Sequence, residues 1–235
     1  MMRSSLAAAV ALALCSASNA ALVYGGGTET GSRYNPGVGA IAYMNCFTAV
    51  GAGETQLSLD SIIVGIRRGA TGGFLTAVGI NIYAAEMTYD GTNFGRGANH
   101  LVYSSSLGAD ASAGFVTQLV NTGELSGSPV LNLELASNVG LGGWWIGVEF
   151  TGPNAGNIIN GWRVVNAPTT GASINGFGVF NNAGSGVFQA FFAFGTPPGS
   201  SPSRMMVDVN GSLVPAPGAV ALLGLAGLTA RRRRA

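Results

Sequence analysis

Between Ala21 and Leu213 the apolar residues recur with a period of two, and this pattern excludes most architectures. "SIIVGIRRG" sets Ile62, Val64 and Ile66 on one side of an extended chain, and "TAVGINIYAAEM" does the same with Val78, Ile80 and Ile82. "VLNLELAS" alternates Leu131, Leu133 and Leu135 with Asn132 and Glu134. "WWIGVEF" alternates Trp144, Ile146, Val148 and Phe150 with Trp145, Gly147 and Glu149. Successive side chains of a strand point to opposite faces, so each segment reads as a half-buried antiparallel strand, one face on a core and one in water. "VGAIAYM", "HLVYSSS", "GFVTQLVNT", "NGWRVVN", "GFGVFN", "VFQAFFAF" and "RMMVDVNGSL" are further candidates. Turn clusters such as "YDGTNFGRG", "TGELSGSP" and "TGPNAGN" separate them.

About eleven short strands without an amphipathic helix predict an all-β fold, a two-sheet antiparallel sandwich of jelly-roll-like size over residues 21–213. A closed barrel shares the periodicity. An outer-membrane barrel does not fit, because outward positions carry Glu and Asn where lipid requires an apolar band. No long repeat recurs that would build a solenoid or propeller. A chain of 235 residues suits one sizeable core.

The two ends do not share the pattern. "MMRSSLAAAVALALCSASNA" has Arg3, an apolar run from Leu6 to Leu14 and a small-x-small site, Ser18-Asn19-Ala20. This predicts a secretory signal peptide over residues 1–20, cut between Ala20 and Ala21. Its removal leaves Cys46 as the one cysteine, so an internal disulfide is excluded and stability must come from packing.

Only 9% of residues are charged and no Lys occurs, yet four of the eleven basic residues stand together as Arg231, Arg232, Arg233 and Arg234. Without the two ends the body keeps Arg33, Arg67, Arg68, Arg96, Arg163 and Arg204 against all ten acids. That balance is negative, the wrong sign for a nucleic-acid partner.

Residues 214–235, "VPAPGAVALLGLAGLTARRRRA", form the third segment. A helix over the uncharged stretch from Ala219 to Ala230 would span about 18 Å, short of the ~30 Å hydrocarbon core. Snorkelling arginines and local bilayer thinning permit a strained or temporary insertion, with the basic end cytoplasmic and the body facing outward. A proline motif, a short Leu/Gly/Ala helix and a terminal arginine cluster, in that order, resemble the PEP-CTERM sorting signal of exported bacterial proteins, also catalogued as an ice-binding protein C-terminal domain. The resemblance covers Val214 to Arg234. It implies that Val214, Pro215, Pro217 and Arg231 to Arg234 are read by an exosortase-like membrane protease-transpeptidase, and that the body works at the cell surface or in the extracellular matrix. Ala216 stands where the family has its name-giving Glu, a departure that falls on the cleavage motif and leaves the membrane-targeting parts intact. "LDSIIVGIRRG", "NGWRVV" and "AFGTPP" resemble the β-sandwich bodies that precede such tags, which implies a fold and no activity. Ice binding is not implied, since no regular Thr array is present.

Catalytic constellations are sparse. The one His is His100, at the start of "HLVYSSS", and no G-x-S-x-G elbow occurs, with Ser126 of "GELSG" wrongly placed. His100 and Cys46 are too few for zinc. "GVGAIA" matches a phosphate-loop pattern by letters but leads into a strand where the chemistry needs a helix N-terminus. A glycosidase needs two carboxylates ~5–9.5 Å apart. Glu86, Glu134 and Glu149 lie on strands without any spacing that specifies a pair. Asp90 and Asn93 of "YDGTNFG" are hard donors of the calcium type, and read first as a hairpin turn. The expectation is a non-enzymatic protein without cofactor or metal.

Extracellular polysaccharide is the alternative partner. Trp144 and Trp145 are adjacent and must point to opposite faces. With Trp144 in the core beside Ile146, Val148 and Phe150, Trp145 is the exposed one, and Trp162 and Tyr103 are its expected companions in stacking on sugar rings.

Overall fold

A computed structural model describes residues 20–51, 53–69, 76–109, 116–127, 129–136, 141–157, 160–173, 177–181, 188–191 and 204–215. The apolar run of the signal peptide and the tail from residue 216 onward, with Pro217 and the arginine cluster, lie outside the described residues.

The described residues form strands and turns, with no helix. Strands are numbered in chain order. One sheet has eight strands: β1 (Ala21–Tyr24), β2 (Glu29–Tyr34), β4 (Glu54–Arg68), β7 (Val116–Asn121), β8 (Val130–Asn132), β11 (Asn160–Val165), β14 (Arg204–Met205) and β15 (Val207–Pro215). Its central path runs β1-β15-β4-β11-β14, with β2 on β11 and β7 and β8 on β4. The second sheet has seven: β3 (Ala40–Ala49), β5 (Val78–Tyr89), β6 (Phe94–Leu107), β9 (Glu134–Ala136), β10 (Leu141–Thr151), β12 (Phe177–Asn181) and β13 (Phe188–Phe191), in the order β13-β12-β3-β10-β5-β6, with β9 on β10. The paired strands are antiparallel. Two separate sheets make this the expected sandwich. The strands that periodicity missed are short or polar, like "ETGSRY" of β2, or arise where one apolar run breaks in two, as at Leu133 between β8 and β9.

The main core lies between the sheets. Leu57, Leu59, Ile62, Val64 and Ile66 of β4 face Ile80, Ile82, Trp144, Ile146, Val148 and Phe150 of the other sheet. Odd and even positions of β4 share one face because of a β-bulge. Asn210 of β15 pairs with Ser61 while the next residue, Gly211, pairs with Leu59, so Asp60 is the extra residue that resets the alternation.

The reset parity also carries Arg68 inward and leaves Arg67 outward. Arg68 is 3% exposed. Its Nε donates to Asn160 Oδ1 at 3.4 Å, Nη1 to Gln118 Oε1 at 3.0 Å, and Nη2 to the carbonyls of Thr76 and Gly108, both at 2.7 Å. One planar fork thus joins β4, β7 and β11 to the chain entering β5 and leaving β6, clamping the two sheets at one end.

Among the described residues the folded body begins with β1 at Ala21. It continues past the boundary expected at residue 213, because Val214 and Pro215 still pair with Gln56 and Glu54. Proline lacks an N–H, and it is accommodated here as the terminal residue after a register shift.

Replacing Arg68 by Met should destabilise the fold by about 3 kcal/mol, since several buried acceptors lose a charged donor together. Arg68→Lys should recover less than half of that, because an ammonium cannot reproduce the fork. Urea unfolding of the three proteins measures both differences.

Candidate functional site

The sequence trio of Trp145, Trp162 and Tyr103 does not converge. Trp162 is fully buried in the main core, its Nε1 donating to the Met206 carbonyl at 2.8 Å. Tyr103 pairs with the inward-facing Ile82 and packs half-buried on the edge of that same core. Trp145 points to the opposite side of its sheet from Trp144, as expected, yet it is only 2% exposed. The expectation of an exposed Trp145 is therefore overturned, because the outer face of the second sheet has a cover of its own.

That cover comes from the sheet's curl. The edge strands β13 and β6 approach each other across the outer face. Beneath them Ile41, Tyr43, Phe47, Ala85, Met87 and Trp145 form a second apolar cluster. Phe188 of β13 meets Trp145 edge-on at 5.1 Å between centroids and Tyr43 at 5.7 Å. Trp145 Nε1 donates to the Gly95 carbonyl of β6 at 2.9 Å. Trp144 Nε1, by contrast, is buried in the main core without an acceptor.

Glycines of β10 make this cluster fit. Gly143 pairs with Phe47 and Gly147 with Tyr43 across the β3 ladder. A Cβ at either glycine would sit 2.6 Å from the ring of its partner, so the rings occupy space that any other residue would fill.

At one end the outer face turns polar. Gly147 and Glu149 of β10 lie opposite Tyr83 and Asn81 of β5. Tyr83 Oη donates to Glu149 Oε2 at 2.7 Å, and Asn81 Nδ2 donates to the same oxygen at 2.9 Å. Arg96 Nη1 donates to Tyr43 Oη at 2.6 Å. Burial pushes the Tyr83 phenol up to about 12, reinforced by the neighbouring Glu149 carboxylate. Burial also raises Tyr43, opposed by Arg96. The result is a half-buried group of amide, phenol, carboxylate and guanidinium beside aromatic rings. It can bind hydroxyl groups through paired donors and acceptors while offering a ring edge to an apolar face.

It does not supply a carboxylate pair from the three sequence candidates. Glu149 is on the outer face, whereas Glu86 shares the side of Trp144 and accepts from Asn132 Nδ2 at 2.6 Å. Glu134 pairs with Gly143, six positions along β10 from Glu149, which is about 20 Å of strand. His100 lies on β6 at a groove of about 220 Å³ lined by Leu101, Val102, Leu125, Ser126 and Pro129, with no carboxylate in the lining. Asp90 Oδ1 accepts from the backbone of Thr92 at 2.8 Å and Asn93 at 2.7 Å, closing the β5–β6 hairpin and holding its carboxyl below the ordinary range. Among the described residues no three His, Cys, Asp or Glu side chains gather as metal ligands.

Sequence reasoning missed Asn81 and Tyr83. Their signal was present, as the alternate positions of "INIYAAEM", but only the β5–β10 register brings them to Glu149. Comparison with protein-family models, curated proteins and solved structures found no match to this chain.

Tyr83 should titrate near 12 by phenolate absorbance, and Glu149→Gln should bring its midpoint down toward the ordinary 10.0. The sign for stability follows. The unfolded chain loses this proton first, so the contribution is complete below pH 10 and is lost as pH rises toward 12.

Proposed function

We propose that the chain is an exported, non-enzymatic surface or extracellular-matrix protein whose β-sandwich body is sorted to the cell envelope by its PEP-CTERM-like tail. The observation that supports this reading is the placement of the first and last described strands. The first opens at Ala21, the residue after the expected signal cleavage, and the last runs through Pro215, into the proline motif. β1 and β15 pair antiparallel, with Ala21 opposite Gly211. The start of β1 and the end of β15 therefore lie toward the same end of one sheet. A body held this way can shed its leader and engage a membrane sorting protease through its tail without unfolding.

Truncation after Pro215 keeps every described strand. A chain ending there should accumulate as a folded, released protein, while the full chain is recovered in the envelope with its amino terminus at Ala21. Cell fractionation with intact-mass mapping of both termini tests this, and envelope retention of the truncated form would count against the tail as the address.

A second reading, binding of extracellular polysaccharide, is favoured by the Asn81–Tyr83–Glu149 group. In affinity electrophoresis against neutral polysaccharides, the wild type should be retarded, and Glu149→Gln and Tyr83→Phe should each weaken the retardation several-fold. Equal mobility in all gels removes the support for this reading.

A further inference from the structure

The outer face of the first sheet concentrates positive charge in a body that is otherwise negative. Arg163 of β11 pairs directly with Arg33 of β2, and the neighbouring Gly161 pairs with Arg67 of β4. Like charges at paired positions repel, and a body that has only six arginines to distribute gains no stability from placing three of them together.

Glycines let the guanidinium groups cross. A side chain starting at Gly161 would meet Cβ, Cγ and Cδ of Arg33 at 3.1 Å, so Arg33 lies across that glycine, and its Nη1 reaches the Gly69 carbonyl at 3.0 Å. Arg67 runs the other way, its Nη1 3.7 Å from where a side chain at Gly31 would begin. Gly31 has φ +88°, a conformation that other residues rarely adopt. Arg163 donates through Nη2 to Glu29, the carboxylate of this group. Its Nε is buried and has no acceptor, although the residue is only 8% exposed. Burial and the charge of Arg67 both lower the Arg33 pKa, the response of a cation held in a crowded positive field.

We propose that Arg33, Arg67 and Arg163 form a binding site for an oxyanion, a carboxylate or sulfate group of the kind acidic polysaccharides carry, on the outer face of the first sheet. Planar forks on adjacent strands match the oxygens of such a group, and the anion relieves repulsion that Glu29 offsets only in part. The site stands on the opposite sheet from Tyr83 and Glu149. It goes beyond the surface-protein reading and does not depend on it.

The test uses the full chain. Thermal unfolding is followed with added sodium sulfate and with sodium chloride at matched ionic strength, and mobility is measured in gels containing polygalacturonate or neutral dextran. Sulfate stabilises proteins generally, in a way that grows without saturating, so the expected result is a saturable rise on top of it. Arg33→Gln and Arg67→Gln should weaken the apparent sulfate affinity about tenfold, the loss of one charge-assisted contact. Glu29→Gln should strengthen it, an effect that impaired folding cannot imitate. Retardation by polygalacturonate together with saturation by sulfate assigns the site to an acidic polymer, and saturation by sulfate alone assigns it to a free inorganic anion. A sulfate response that stays linear and is the same in all three variants, with unchanged mobility in both gels, overturns the proposal.

Discussion

From Gly142 to Val148 every residue of β10 is buried, and a strand in that condition must be covered on both faces. A two-layer sandwich covers one. Here the opposing sheet takes Trp144, Ile146 and Val148, and the second cover is made by the strand's own sheet, which curls until β13 and β6 meet over Trp145. Curl on this scale needs local irregularity, and the β5–β6 ladder supplies two register shifts, between Ile82 and Tyr83 and between Ala85 and Met87. The glycines at 143 and 147 then admit the rings of Phe47 and Tyr43 beneath that roof. Flattening the sheet would strand a Trp, two aromatic rings and a Met in water, so curvature and packing specify each other.

With few charges available, three near the middle of the first sheet sit where geometry gives them leverage. Asp60 supplies the bulge that turns Ile62, Val64 and Ile66 onto the same face as Leu57 and Leu59. The same shift splits Arg67 from Arg68 across the sheet. One becomes the buried clamp between layers, the other part of the positive outer face. Adjacent arginines of identical chemistry thereby acquire unrelated roles through strand parity alone.

The alternation was legible wherever one face was apolar and the other polar, which is why β4, β5 and the inward half of β10 follow from the sequence. Trp144 went to the core for that reason. Trp145 was misread for a related one. Period-two reasoning assigns the second face to water, and nothing local reveals that Phe188, more than forty residues away, returns to cover it. Trp162 failed differently: "NGWRVV" is buried along its whole length, so its alternation carries no inward or outward label. The Asn81–Tyr83–Glu149 group and the arginine group are products of register. Their members are unremarkable one at a time, and only ladders between distant strands bring them together.

The two outer faces differ in what remains for a partner. That of the second sheet is largely consumed by its own roof, leaving the polar end at Glu149 open in part. On the first sheet β11 is buried along its whole length, and three arginines of β2, β4 and β11 lie over glycine-lined ground there, with Glu29 paired to Arg163. A sandwich stabilised only by apolar burial would place neutral polar residues on that ground, since crowded cations add desolvation and repulsion without adding packing. Charge concentrated against the average composition is therefore better explained by what the face meets than by what the fold requires. On the proposed reading, in which the tail holds the body at the cell surface, this arginine group is the part of the first sheet that would meet an acidic matrix.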